Sequence, residues 1–143
     1  MANTRLSDLL QILVYLKVND GEKITSQRLD SSLNNNPSLV RNMLVQLRSA
    51  GLLESIKGKP HLAKDLNEVS VFDVYKVINP DKGLLQVDNN TSQECSVGIA
   101  FPEVLEKHYQ EVQKIANDKM QQIKLQQLVD ETSKSIELHQ KDL

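Results

Sequence analysis

Residues 34–52, NNNPSLVRNMLVQLRSAGL, decide how the rest of the chain reads. Pro37 stands at a first helical position, where a missing N–H and a fixed φ cost nothing. Asn36 before it is a natural N-cap, because its side chain can accept from a free N–H of the first turn. Val40, Leu44 and Leu47 repeat at helical spacing with Met43 beside them. The opposite face carries Ser38, Asn42, Val45 and Ser49, flanked by Arg41 and Arg48. Gly51 falls where a left-handed residue ends a helix. The stretch therefore reads as a short amphipathic helix with hydrogen-bonding groups and two guanidiniums outward. That suits the major groove of DNA, and it also suits an ordinary surface helix, so the flanks decide.

On the N-terminal side, Leu6, Leu9, Leu10, Leu13 and Val14 predict a helix over 5–18, ended by Asn19-Asp20-Gly21. A short helix over about 25–33 follows, capped by Thr25, with Ile24 stapled to Leu29. Helix, short helix, tight turn and amphipathic helix is the helix-turn-helix order. On the C-terminal side, Leu52 to Ile56 reads as a strand, Lys57-Gly58-Lys59-Pro60 as a turn and His61 to Ala63 as a returning strand. A two-stranded ribbon after such a helix is a wing, and its tip would bring lysines to phosphate.

Ser70-Val71-Phe72-Asp73 predicts a capping box, with Val69 and Val74 as its staple. The helix over 70–78 would turn Val71, Val74, Tyr75 and Ile78 inward and stop at Asn79-Pro80. A polar loop over 80–96 follows, with Leu84, Leu85 and Val87 as its apolar anchors and Cys95 at its end. From Val97 a long helix carries Phe101, Val104, Leu105, His108, Val112 and Ile115 close to a heptad seam. It is too one-sided to be covered by a small domain, and a twofold partner is the simplest way to bury it. Residues 125–138 predict a last helix that folds back on the wing domain or on the other subunit, and 140–143 are expected to fray.

The fold expected is thus mainly α. It comprises a winged helix-turn-helix domain over 1–80, a linker or sensor loop over 81–96, and a dimerisation helix with a C-terminal helix over 97–143. The charge pattern fits. Net charge is −2, yet residues 1–66 carry nine Lys/Arg against six Asp/Glu, and residues 67–143 carry eight against thirteen. Between 37 and 64 there are five basic residues and one acidic, as expected of a localised phosphate-binding surface. With Trp absent and aromatics at 3%, a stacking platform for single strands is not expected. One cysteine excludes an internal disulfide framework and fits a reducing cytosol. No secretory leader and no apolar run of about 20 residues is present, so a soluble cytoplasmic protein without membrane contact is expected. An enzyme is not: no nucleophile–base pair, phosphate-cradling glycine loop or metal-spaced His/Cys set occurs.

The order of parts resembles the IscR/NsrR/CymR type of bacterial winged-helix regulator, the Rrf-two family, over nearly the whole chain. The resemblance rests on RLSDLLQILVYL, NNNPSLVRNMLVQLRSAGLLES, VSVFDVYKVIN, CSVG and IKLQQLVD. The pieces beginning at Asn36-Pro37 and at Cys95 are most similar to the clusterless subgroup. It implies a homodimer joined through the long helix and binding double-stranded DNA at a palindromic operator, most simply as a repressor. Cluster-bearing members use three cysteines around this loop; only Cys95 is present, at the apparent third position. One thiolate cannot hold an iron–sulfur cluster, so no cofactor is expected. The wing, KGKPHLAK, is also shorter than the family's glycine-rich one.

For DNA, the candidates are Arg5, Thr25 and Ser26 toward phosphate, Ser38, Leu39 and Asn42 toward bases, and Arg41 toward a guanine edge or a phosphate. Lys57, Lys59 and His61 are candidates on the wing; His61 reads equally as a surface residue. Cys95 is either a thiol sensor or a small buried residue closing the loop. A sensor needs exposure and a lowered pKa, which Glu94 opposes and a helix start favours. His108 reads as an interface histidine, since a metal would find only Cys95 and carboxylates such as Glu111 nearby. Two further functions fit parts of the pattern. A winged helix used for protein contacts would need an apolar outer face on 37–50, where only Leu39 and Val45 are apolar. A repressor could instead answer a small molecule held between dimer helix and wing domain; the sequence names no effector.

Overall fold

The apolar phases of the first half close on one another. A computed structural model describes residues 4–78 and 83–141. Helix α1 (Arg5–Val18) buries Leu9, Ile12, Leu13 and Leu16. Helix α2 (Ser26–Leu33) adds Leu29, and α3 (Pro37–Ser49) adds Val40, Met43 and Leu47. With Ile24, Leu52 and Leu53 these form one core. Burying each such side chain is worth about 1.5–3 kcal/mol, which is why the helical phase dictates the packing.

The caps are those the sequence shows. Thr25 accepts from the Arg28 N–H at 3.2 Å, and Asn36 accepts from the Ser38 N–H at 2.8 Å. Between α2 and α3 the chain reverses through Asn34 at φ 50°, a left-handed conformation that asparagine tolerates better than most residues. Gln11 reaches from α1 to the Ser32 carbonyl at 2.8 Å and fixes the end of α2.

Strand β1 (Leu53–Ile56) pairs antiparallel with β2 (Lys59–Leu62). The turn is two residues, Lys57 and Gly58, at φ 53° and 78°. Both lie in the left-handed region, as a tight hairpin requires. Lys59 and Pro60 thus belong to the returning strand, not to a four-residue turn. Pro60 sits opposite Ser55, next to the hairpin's closing pair Ile56–Lys59. Alternate pairs in such a ladder lack hydrogen bonds, so a proline there forfeits none.

Helix α4 (Val71–Ile78) opens with a reciprocal capping box. The Ser70 N–H donates to Asp73 Oδ2 at 2.9 Å, and the Asp73 N–H donates to Ser70 Oγ at 3.2 Å. Val71 and Val74 are buried, Tyr75 and Ile78 half-buried. The expected stop at Asn79-Pro80 lies outside the described residues. Leu84 and Leu85 are exposed, so they do not anchor the loop, whereas Val87 is half-buried. A glutamine holds it instead: Gln113 Oε1 accepts from the Leu84 N–H at 2.7 Å, and its amide reaches Tyr75 and Asn117.

Helix α5 (Ser96–Gln122) packs along α4, and α6 (Leu125–Lys141) folds back on α1 of the same chain. Leu125 and Val129 join the winged-helix core. The α5–α6 junction is clipped to the segment before α4. Val71 N–H donates to Ile123 O and Leu125 N–H to Val69 O, both at 2.8 Å. The final helix continues through Gln140 and Lys141, where fraying is expected from the sequence. Among the described residues no helix is long and apolar enough to cross a membrane.

Candidate DNA-binding surface

Helix α3 turns Ser38, Arg41, Asn42, Val45, Arg48 and Ser49 to solvent. Arg41 Nη2 donates to Ser38 Oγ at 3.3 Å, an exposed bond that leaves most of the guanidinium fork open. Asn42 is exposed, and its side-chain amide offers the donor and acceptor that read an adenine edge. Leu39, expected toward bases, is half-buried and packed against the core. Its angular position falls on the flank of the Val40–Met43–Leu47 face, between the core and the outer surface.

Helix α3 packs against α2, which carries Thr25 and Ser26 at its start, and against β1, whose partner β2 carries Lys59 and His61; Arg5 lies on α1. Thr25 and Ser26 are exposed at the start of α2. Thr25 Oγ1 is used as a cap acceptor, but its hydroxyl proton remains available to phosphate. Lys57 is exposed at the wing tip, and His61 faces Glu54 across the ribbon. Arg5 is half-buried at the start of α1 and has an interaction partner of its own.

Two residues absent from the sequence reading organise the neighbouring loop. Arg28 donates to the Lys23 carbonyl at 3.0 Å and to the Tyr15 hydroxyl at 3.1 Å. It also meets Glu22 at 3.7 Å. Lys23 is thereby set against Lys59 of the wing, whose pKa is lowered by slight desolvation and then by the Lys23 ammonium. No periodicity or motif marks either residue, because the contact joins segments distant in sequence.

Helix α5 presents a different face. Val97, Phe101, Val104, Val112 and Ile115 are 66%, 53%, 52%, 48% and 70% exposed. They share one stripe with exposed His108, while Leu105 lies at its edge and is half-buried. Pro102, Tyr109, Gln113 and Ala116 are half-buried on the other side. The helix therefore uses one face within its own chain and leaves an apolar stripe bare.

Cys95 stands at the N-cap of α5 and is exposed, so it does not close the loop as a buried residue. Its sulfur faces the N–H groups of Val97 and Gly98 without reaching full hydrogen-bond geometry. Gly98 first and Val97 next hold the thiol below its ordinary pKa, against a weaker effect of burial. The direction is the one a helix start favours. Beside it the Thr91 hydroxyl donates to the Gly98 carbonyl, and a Cβ on Gly98 would meet the Ser92 carbonyl oxygen at 2.5 Å. The loop is thus seated directly on the start of the helix. Among the described residues no group of three or more His, Cys, Asp or Glu is placed to hold a metal ion.

Comparison with known proteins agrees with this architecture. The Rrf2 family model, described as an iron-dependent transcriptional regulator, matches residues 2–131. YwnA of Bacillus subtilis (strain 168), provisionally named an HTH-type transcriptional regulator, is 30% identical over 122 residues, which span 84% of this chain and 90% of YwnA. The crystal structure of Staphylococcus aureus CymR matches with a TM-score of 0.66 at 17% identity, over 89% of this chain and 96% of CymR. T. potens IscR matches with a TM-score of 0.70 at 17% identity, over 94% of this chain and 90% of its own. These two likenesses establish the shared winged-helix fold. With the family model spanning the winged helix, all of α5 and the start of α6, the chain belongs to the Rrf2 family of transcriptional regulators, and it is not an enzyme.

Proposed function

We propose that the protein acts in the cytoplasm as a homodimeric repressor that reads a palindromic operator through two copies of α3. One observation carries this reading: each protomer holds one polar, guanidinium-flanked helix and, elsewhere, one uncovered apolar stripe on α5. Joining two stripes by a twofold axis buries them and presents α3 twice, as a two-half-site operator needs. Ser38, Arg41 and Asn42 read bases, while Thr25, Ser26, Lys57, Lys59, His61 and Arg5 contact the backbone. The polar face of α3 disfavours the alternative of a winged helix serving protein contacts.

The family description carries iron, but the donors here do not fit a cluster. Cys95 is the single cysteine, and a cluster needs three or four protein ligands. We therefore assign no iron–sulfur centre. Cys95 is instead the candidate receiver of an oxidant. A thiolate held down by helix N–H groups and open to solvent attacks peroxide, giving a sulfenate and water. A second reading, a small apolar effector, is favoured by a cleft between α1 and α6 lined by Leu10, Val14, Val18, Leu128 and Ile136. That cleft lies beside α6, not between the dimer helix and the wing.

The test is binding to a duplex from upstream of the protein's own gene, at fixed salt. Arg41→Ala is expected to weaken specific binding by about 1–3 kcal/mol, and unchanged binding would refute the groove assignment. Peroxide is expected to weaken wild-type binding and to leave Cys95→Ser unaffected; an equal response in both removes Cys95 from the signal.

A further inference from the structure

The loop before α2 and the wing meet in a crevice lined by Lys23, Lys59, His61 and Lys64. We propose that Lys23 and Lys59 form a two-ammonium clamp for one DNA backbone phosphate, tying the α1–α2 loop to the wing on the bound duplex. The inference rests on the DNA-binding reading above and adds Lys23 to it.

Three observations support the clamp. Lys23 and Lys59 come from segments distant in sequence, yet both line this one crevice, close enough for the Lys23 ammonium to help lower the pKa of Lys59 after desolvation. Like charges this close repel, and a phosphodiester between them turns that repulsion into attraction. Neither ammonium has an ion-pair partner among the described residues, although carboxylates share the crevice. Asp20 pairs with Lys17 at 4.0 Å and Glu22 with Arg28 at 3.7 Å. Asp65 accepts from the Asn67 N–H at 2.9 Å, and Glu54 lies opposite His61 in the ribbon. Finally, the pair is held in place. Arg28 fixes the Lys23 carbonyl from one side, and the Ile56–Lys59 pairing beside the tight turn fixes Lys59 from the other. The lowered pKa of Lys59 is the mark of the same crowding, and it should relax when the phosphate arrives.

The test measures affinity for the upstream duplex against chloride concentration for wild type, Lys23→Gln, Lys59→Gln and the double variant. Lys17→Gln, whose ammonium is paired with Asp20, is the control. Each single variant is expected to weaken binding several-fold and to flatten the log–log salt slope by about 0.9. The double variant should lose little more than either single, because both side chains serve one phosphate, and Lys17→Gln should leave the slope alone. Unchanged slopes, or losses that simply add, overturn the clamp while wild-type binding keeps the DNA reading intact. No wild-type binding at all overturns that reading itself. Inorganic phosphate should compete no better than chloride of equal ionic strength. If it displaces DNA from wild type but not from the double variant, the crevice is a small-anion site and the proposal fails.

Discussion

Replacing Ile115 by Asp should split the protein into monomers while leaving each monomer folded. Ile115 is 70% exposed in the protomer, so it contributes little to the core. Its stripe of five apolar residues presents roughly three side chains' worth of surface per protomer, about 5–9 kcal/mol of burial. Two stripes therefore gain on the order of 10–18 kcal/mol against an association cost of about 4–15 kcal/mol. The margin is narrow enough for one position to decide. The substitution forfeits about 2–4 kcal/mol of apolar burial across the twofold axis. It also places two carboxylates in the interface, each costing several kcal/mol to desolvate. The dimer dissociation constant should rise by at least about 10³-fold, since 1.4 kcal/mol is tenfold. Sedimentation velocity across a concentration series reads this directly, and operator affinity should fall with it. The protomer's helical circular dichroism should stay the same. A variant that remains dimeric at the wild-type dissociation constant would refute α5 as the dimer surface.

Other expectations concern the protomer itself. Asn36→Ala removes the side chain that accepts the Ser38 N–H at the start of α3, and chemical denaturation should show a loss of about 1 kcal/mol. Leu125→Ala empties a fully buried position where α6 enters the core, and should cost about 2–5 kcal/mol, read as a lower midpoint. Burial opposes ionisation of Asp73, but the Ser70 N–H and hydroxyl and the Lys76 ammonium outweigh it and lower its pKa. A depressed carboxylate stabilises the fold above its unfolded pKa, and that contribution is lost as pH falls through the folded value. The stability of wild type against chemical denaturation should therefore fall more between neutral pH and about pH 3 than that of Asp73→Asn.

Local chemistry made most of the fold legible in the sequence. Asn36-Pro37, Thr25 and the Ser70–Asp73 box each act within one helical turn, so residue type and spacing suffice to place them. The wing was displaced because Pro60 reads as a turn residue, while the two left-handed residues Lys57 and Gly58 complete the turn before it. Leu39 sits at the edge of the core face, where a small difference in helical angle decides how far it is buried. Gln113, Arg28 and Lys23 were silent, because their partners on other segments exist only once the chain has folded. Cys95 was ambiguous for the same reason. Its exposure depends on how the loop over 91–94 seats on Gly98, and its lowered pKa on where α5 begins.

The most direct test of a twofold reader built on α3 is a hydroxyl-radical footprint on the upstream duplex, with wild type and Arg41→Ala compared at equal salt. Two protected half-sites are expected, centred one helical turn or a multiple of it apart, with protection by Arg41→Ala weakened equally in both. A single protected segment, or two that Arg41→Ala leaves unchanged, would contradict it.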